Sequence, residues 1–221
     1  MTSPAAGGAR ARILGTAARL FYERGIRAVG VDTLIAESGV AKATFYKHFP
    51  AKDDLVLAYL DTIDEAWTAQ LQAAAQAAGD RPADQLVGVF AALGAVCDGP
   101  GYRGCGFLNA AAETPAGSRV HDRIVAHKAS VRDYLAQLAR AGGASDPEAL
   151  ARTLSVLLDG GLAAGTLEAG GAAPSAAAEA AQLVVAAALP PAGRPRRPAG
   201  SGDRNRTSVS SAPRRPPGGG R

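Results

Sequence analysis

Residues 31–49, VDTLIAESGVAKATFYKHF, constrain this chain more than any other stretch. Val31, Leu34 and Ile35 recur at helical spacing up to Ser38. Gly39 then interrupts the helix, because glycine enters the left-handed backbone region at little cost. A second short helix opens after Val40. It sets Phe45 and Phe49 on one face and Lys42, Thr44, Tyr46, Lys47 and His48 around the rest. Two short helices joined through a glycine, the second studded with cations and hydrogen-bonding tips, predict a helix-turn-helix over residues 30–49.

The side chains of the second helix suit a polyanion with readable edges. Lys42 and Lys47 neutralise phosphates. Thr44 offers a hydroxyl to a phosphate or base and a methyl to thymine. Tyr46 and His48 are flat with polar tips. An isolated lysine pair is usually only a solvated helix face. Here the basic face follows a glycine turn and a braced core helix, which favours nucleic acid.

GVAKATFYKHFPAKDDL resembles the most recognisable segment of the TetR family of bacterial transcriptional regulators, and the resemblance extends back through ILGTAARLFYERG to cover residues 10–60. Gly30 stands where the family usually has a Thr or Ser cap, Ile35 where it has Ala, Ala41 for Ser and Ala43 for Gly. Gly30 and Ala41 therefore remove two hydroxyls that commonly cap these helices and touch phosphates. The resemblance implies an all-α fold, with a three-helix head that binds an operator and a helical body that binds a small molecule and dimerises.

Charge is distributed to match. Residues 1–52 hold 8 Lys and Arg against 3 Asp and Glu, residues 53–189 hold 8 against 16, and residues 190–221 hold 8 against 1. A basic head on an acidic body points the head at a polyanion and keeps the body off it. Residues 1–9 read as a flexible N-terminus without the apolar run of a secretory signal, and the apolar stretch at 183–189 is too short to span a bilayer. Two cysteines fit a reducing cytoplasm.

Taken in order, a first helix runs to Arg24 with Ile13, Ala17, Leu20 and Phe21 buried. The head thus spans residues 10–52. After Pro50 a long helix begins at Lys52 and reaches about Ala78, with Leu55, Tyr59, Ile63, Ala66 and Gln70 along one side. Lys52, at that helix start, is placed to hold a phosphate. The family resemblance makes this helix the link between head and body (53–189). Leu86, Val89, Phe90 and Leu93 mark one further helix. CDGPGYRGCGFLNAAAETPAG predicts a loop and then a short helix from Phe107 to Glu113. RGCGFLNAAAE resembles a segment of one subset of TetR regulatory domains, which commonly has Pro at the position of Gly106. Trp67, Phe90, Tyr102, Phe107 and Asn109 are candidates to line a site for an apolar or aromatic effector, although core packing explains the aromatics equally.

Val120, Ile124, His127, Val131 and Leu135 form a heptad-like stripe over residues 119–140. Asp146 and Pro147 start another helix, which carries Leu154, Leu158 and Gly161. These two stripes are the candidate dimer interface. A last Ala-rich helix spans Ser175 to Leu189, and the Arg/Pro/Gly tail, 190–221, is too polar to fold.

No nucleophile elbow, phosphate-binding loop or metal-ligand cluster is present. Cys97 and Cys105 have no histidine suitably placed for a metal, so neither an enzyme nor a cofactor is expected. The expected partners are duplex DNA, a second copy of the chain and a small molecule. A repressor released from a palindromic operator is the leading expectation. The alternative is a sequence-independent nucleic-acid binder that uses the tail.

Overall fold

The computed structural model describes residues 8–168 and 171–190, and the described residues form ten α-helices. Residues 1–7 and 191–221, which include most of the expected flexible N-terminus and basic tail, lie outside the described residues.

Helix α1 (Ala9–Arg24) buries Ile13, Ala17, Leu20 and Phe21, the stripe its spacing predicts. Helix α2 (Val31–Ser38) ends at Gly39, whose φ of 64° and ψ of 32° place it in the left-handed region. Helix α3 (Lys42–His48) follows. Gly30 and Ala41 occupy the N-cap positions of α2 and α3, and neither supplies a side-chain cap. Helix α4 (Lys52–Ala77) then leaves the head and runs into the body, with Asp53 and Asp54 in its first turn against the helix dipole. Asp54 also accepts from the backbone N–H of Ala51 at 3.1 Å.

The single helix expected around Leu86–Leu93 is two, α5 (Pro82–Gly88) and α6 (Ala91–Cys97). Val89, Phe90 and Leu93 are all buried across the break, so the apolar spacing marks the buried face without revealing the change of direction. The Gly/Pro loop leads to α7 (Gly106–Glu113). Helix α8 (Arg119–Ala141) is capped by the Ser118 hydroxyl, which accepts from His121 N–H. The Asp146 carboxylate accepts from Ala149 N–H and caps α9 (Pro147–Ala164). Helix α10 (Ala172–Ala188) begins before the expected Ser175, because Pro174 falls in its first turn, where no N–H partner is needed.

Two apolar clusters hold these helices. One gathers α4, α5, α6, α8, α9 and α10 around Leu86, Phe90, Leu93, Leu135 and Leu154. The other contains Phe21, Phe45, Phe49 and Tyr59, and it continues into the body through Phe107, Ala110, Val120 and Ile124. The head is therefore packed onto α7 and the start of α8 as well as joined through α4.

This packing corrects the expected dimer stripes. Val120, Ile124, His127, Val131 and Leu135 on α8, and Leu154, Leu158 and Gly161 on α9, are all buried within one chain. A β-carbon at Gly161 would stand 2.8 Å from Leu93 Cδ1 and 3.1 Å from Ala177 Cβ, so this glycine lets α6 and α10 approach α9. Periodicity identifies a face that is buried; here the burying partners are the chain's own helices.

Candidate nucleic-acid interface and interior cavity

Helix α3 is held from below and open above. Phe45 is fully buried, and its ring lies 6.3 Å from that of Phe49. Lys42 and Lys47 are exposed on the other side, Thr44 and His48 are half-buried, and Tyr46 is 42% exposed with its ring edge-on to Phe45. The Arg10 guanidinium sits 5.3 Å from the centre of the Phe49 ring, which brings the start of α1 beside α3. Arg19 and Arg24 are paired with Glu37, whereas Lys42, Lys47, Arg10 and Arg12 have no acidic partner among the described residues. Four of the head's unpaired cations therefore lie on α3 and the first turn of α1, with Arg27 in the turn after α1, and the four form a suitable surface for phosphates.

Lys52 departs from the expectation. Its ammonium donates to the Ile26 carbonyl at 2.6 Å and lies 6.0 Å from the centre of the Phe21 ring. Burial pulls its pKa below the ordinary lysine value, against the opposing charges of Glu113 and Asp53. Lys52 fastens the turn after α1, and that bond takes it away from the open face of α3.

The second site is a cavity of about 480 Å³ between head and body. Helix α1 contributes Ala18, Arg19, Tyr22 and Glu23, and α4 contributes Tyr59, Ile63, Ala66, Trp67 and Gln70. The loop before α7, with Gly106 and Phe107 of α7 itself, Val96 of α6, His127 of α8 and Leu162 of α9, forms the rest of the wall of this partly open cavity. Trp67 and Phe107 thus line it. Phe90 instead belongs to the body core, while Tyr102 and Asn109 border a separate surface depression. The Tyr102 hydroxyl donates to Leu162 O at 2.6 Å, and Asn109 Nδ2 donates to Arg103 O at 2.9 Å, so both brace the loop. Cys97 and Cys105 are free thiols.

His127, 1% exposed, is stacked on Phe107 with ring centres 3.6 Å apart and planes 4° from parallel. Its Nδ1 lies 2.6 Å from Asp64 Oδ1, and Arg123 Nη2 donates to Asp64 Oδ2 at 2.6 Å. Burial opposes ionisation of Asp64, but the hydrogen bonds from Arg123 and His127 outweigh it and hold the carboxyl below its usual range. Burial pushes the His127 pKa down, with Asp64 opposing. Burial thus favours the neutral ring, and in that form the proton sits on Nδ1, facing the carboxylate.

Head and body are clasped at two further points that sequence spacing does not reveal. Tyr22 Oη accepts from Arg103 N–H at 2.8 Å and donates to Gly104 O at 3.0 Å. The Glu113 carboxylate, at the end of α7, accepts from the N–H groups of Ile26 at 3.2 Å and Arg27 at 2.7 Å. A β-carbon at Gly25, where φ is 90°, would stand 2.7 Å from Glu113 Oε1.

A braced helix-turn-helix with an open basic helix, mounted on a helical body, defines a DNA-binding regulator. The family model described as "Bacterial regulatory proteins, tetR family" matches residues 13–59. The chain is 40% identical to SCO4454, a TetR-family transcriptional regulator from Streptomyces coelicolor, with a TM-score of 0.71 over 81% of this chain and 93% of that one. It is 28% identical to a putative TetR transcriptional regulator from Streptomyces avermitilis, with a TM-score of 0.66 over 79% and 98% of the two chains. It is also 33% identical over 91 residues to the HTH-type transcriptional regulator TcmR of Streptomyces glaucescens, a match spanning 39% of that protein. A similar match to EthR of Mycobacterium tuberculosis spans 32% of that protein. The chain belongs to the TetR family of transcriptional regulators. Among the described residues, no helix is long and apolar enough to cross a membrane.

Proposed function

We propose that the chain acts as a homodimeric repressor, with a head at 10–52 that reads a palindromic operator and a body at 53–189 that takes a small-molecule effector. The exposed face of α3, with Lys42, Tyr46 and Lys47 uncommitted above a buried Phe45, carries this reading. Lys42 and Lys47 hold phosphates, and Thr44, Tyr46 and His48 reach base edges or backbone oxygens. Titrating the purified chain against DNA from upstream of its own and adjacent genes, with random duplex as control, tests it. Sequence-selective, salt-sensitive binding is the expected result, and equal affinity for all duplexes would defeat it.

The open face of α9 and α10 supports a twofold partner. Val156 is 70% exposed and Leu183 is 74% exposed. On α9 the exposed residues Thr153, Val156, Gly160 and Ala163 recur by threes and fours, and on α10 Ala176, Leu183 and Ala187 extend the apolar surface. A stripe of this kind, small and apolar on two packed helices, fits a four-helix interface with its own copy. Val156→Glu combined with Leu183→Glu should convert the dimer to a folded monomer in sedimentation, because neither side chain supports its own core. It should also remove tight operator binding, which needs both heads.

The cavity between α1, α4, α7 and α8 is the proposed effector site. An effector shifts DNA affinity only through its different affinity for the DNA-competent and released shapes, so about 100-fold release requires about 2.7 kcal/mol of coupling. Helix α7 has Phe107 on the cavity at one end and Glu113 on the head turn at the other. We assign it the relay, alongside α4. Glu113→Ala removes two bonds to a charged acceptor and is expected to reduce effector-driven release by about tenfold while leaving effector affinity within about twofold. Operator release curves and direct effector titration check the two halves separately.

A further inference from the structure

Two polar atoms on deeply buried side chains of the cavity wall make no hydrogen bond among the described residues. Tyr59 is 3% exposed, and among the described residues its hydroxyl makes no hydrogen bond. His127 bonds Asp64 through Nδ1, and its Nε2 has no partner among the described residues. Of the other polar side chains on the cavity wall, Tyr22 and Arg19 are committed, whereas those of Trp67 and Gln70 make no hydrogen bond among the described residues. Tyr22 Oη bonds Arg103 and Gly104, and Arg19 is paired with Glu37 at 2.5 Å and Glu23 at 3.4 Å. Gly106 keeps the space beside Tyr59 clear, since a β-carbon there would lie 3.1 Å from Tyr59 Oη and 2.9 Å from Ile63 Cδ1. A ligand that pairs with both Tyr59 Oη and His127 Nε2 gains selectivity that apolar contact alone does not give.

The two groups are chemically distinct. Burial raises the Tyr59 hydroxyl to about 12, so it keeps its proton and donates. Facing an ionised Asp64 at 2.6 Å, His127 Nδ1 carries a proton, and in the neutral ring that burial favours Nε2 is then an acceptor. This donor and this acceptor, beside stacked Phe107 and His127 with Trp67 and Ile63 nearby, fit a particular ligand shape. We infer that the effector is a flat, largely apolar, uncharged molecule bearing a hydroxyl group, which donates to His127 Nε2 and accepts from Tyr59 Oη. A carboxylate fits poorly, because it would face the Nε2 lone pair and the cavity's one arginine is already neutralised by Glu37 and Glu23. The inference rests on the reading of this cavity as the effector site.

The test uses the full chain and a matched set of fused-ring probes: 1-hydroxypyrene, 1-methoxypyrene and pyrene-1-carboxylate, each followed by its own fluorescence. The hydroxyl compound should bind about tenfold more tightly than the methyl ether, the size of one net hydrogen bond, and more tightly still than the carboxylate. His127→Asn keeps an N–H donor where Nδ1 stands and removes Nε2. It should bring the hydroxyl compound down to the affinity of the ether. Tyr59→Phe should weaken both by about tenfold and preserve their ratio. The probe series on the unaltered chain decides the class by itself should His127→Asn fail to fold. Tightest binding by the carboxylate, equal binding of alcohol and ether, or an undiminished preference in a folded His127→Asn overturns the ligand class and leaves the cavity reading standing. Binding of none of the probes overturns the cavity as an effector site, and this inference with it.

Discussion

Replacing Tyr46 and Lys47 with alanine is expected to abolish tight operator binding without altering the melting temperature. Both side chains leave α3 on the side away from Phe45 and Phe49. Tyr46 is 42% exposed and only rests its edge on Phe45, so the head loses little packing. A lost base or phosphate contact costs about 1–2 kcal/mol at each half-site, and a twofold complex pays it twice. Two contacts are lost in each of two heads, so the dimer should lose about 1,000-fold or more in affinity. Lys47→Ala alone should also lower the salt slope by about 1 for each head that contacts DNA, whereas Tyr46→Ala should leave the slope unchanged and flatten the preference for operator over random duplex. Footprinting and titration at several salt concentrations read both effects. Wild-type affinity and slope in the double variant would show that α3 does not face the DNA.

Phe45→Ala acts on the opposite side of the same helix and should have the largest effect on stability. Phe45 is fully buried among Leu20, Leu34, Phe49 and the other apolar residues that join α1, α2 and α3 to α4. Truncating a buried phenylalanine costs about 3–5 kcal/mol through lost transfer energy and the cavity left behind. For a chain of this size, each kcal/mol lowers the melting temperature by about 2–4 °C. The same cluster runs through Phe107, Val120 and Ile124, so the destabilisation should reach α7 and the start of α8 and appear in one shared transition. Calorimetry or circular dichroism measures it. A small early transition followed by an unshifted main one would mean that the head melts alone.

These two expectations rest on the part of the chain most legible from sequence. The stripe of Ile13, Ala17, Leu20 and Phe21, the left-handed Gly39 and the capped start at Asp146 are local features, and local spacing is enough to read them. Non-local features were harder to read. Strong hydrophobic periodicity on α8 marked a buried stripe, but nothing along the chain distinguishes burial by α4, α7 and α9 from burial by a second copy. The stripe proposed for dimerisation is weakly apolar, with Thr153, Gly160 and Ala163 around Val156, so it gives little signal. The break between α5 and α6 follows Gly88, and because a glycine within an apolar run also fits a continuous helix, it does not announce the break by itself.

The candidate site divides in the same way. The residues of α3 lie within a single helix and were found as a group. The cavity is assembled from α1, α4, α7, α8 and α9, and its polar wall depends on Asp64 meeting His127 across 63 positions of sequence. Lys52 also acquires a contact that local spacing does not show. A cation at a helix start suggested phosphate, while the fold brings it within 2.6 Å of the Ile26 carbonyl. Glu113 gave no warning, because a lone carboxylate at a helix end is ordinary until the Ile26 and Arg27 amides are placed beside it.

Tyr22 belongs at once to the helix that braces the reading head and to the lining of the chamber beneath it. A guest in that chamber would press on the reading apparatus directly, with no intervening domain to absorb the push. A substitution at Tyr22 that admits a new guest therefore also resets the resting grip on DNA, so drift in one property drags the other along.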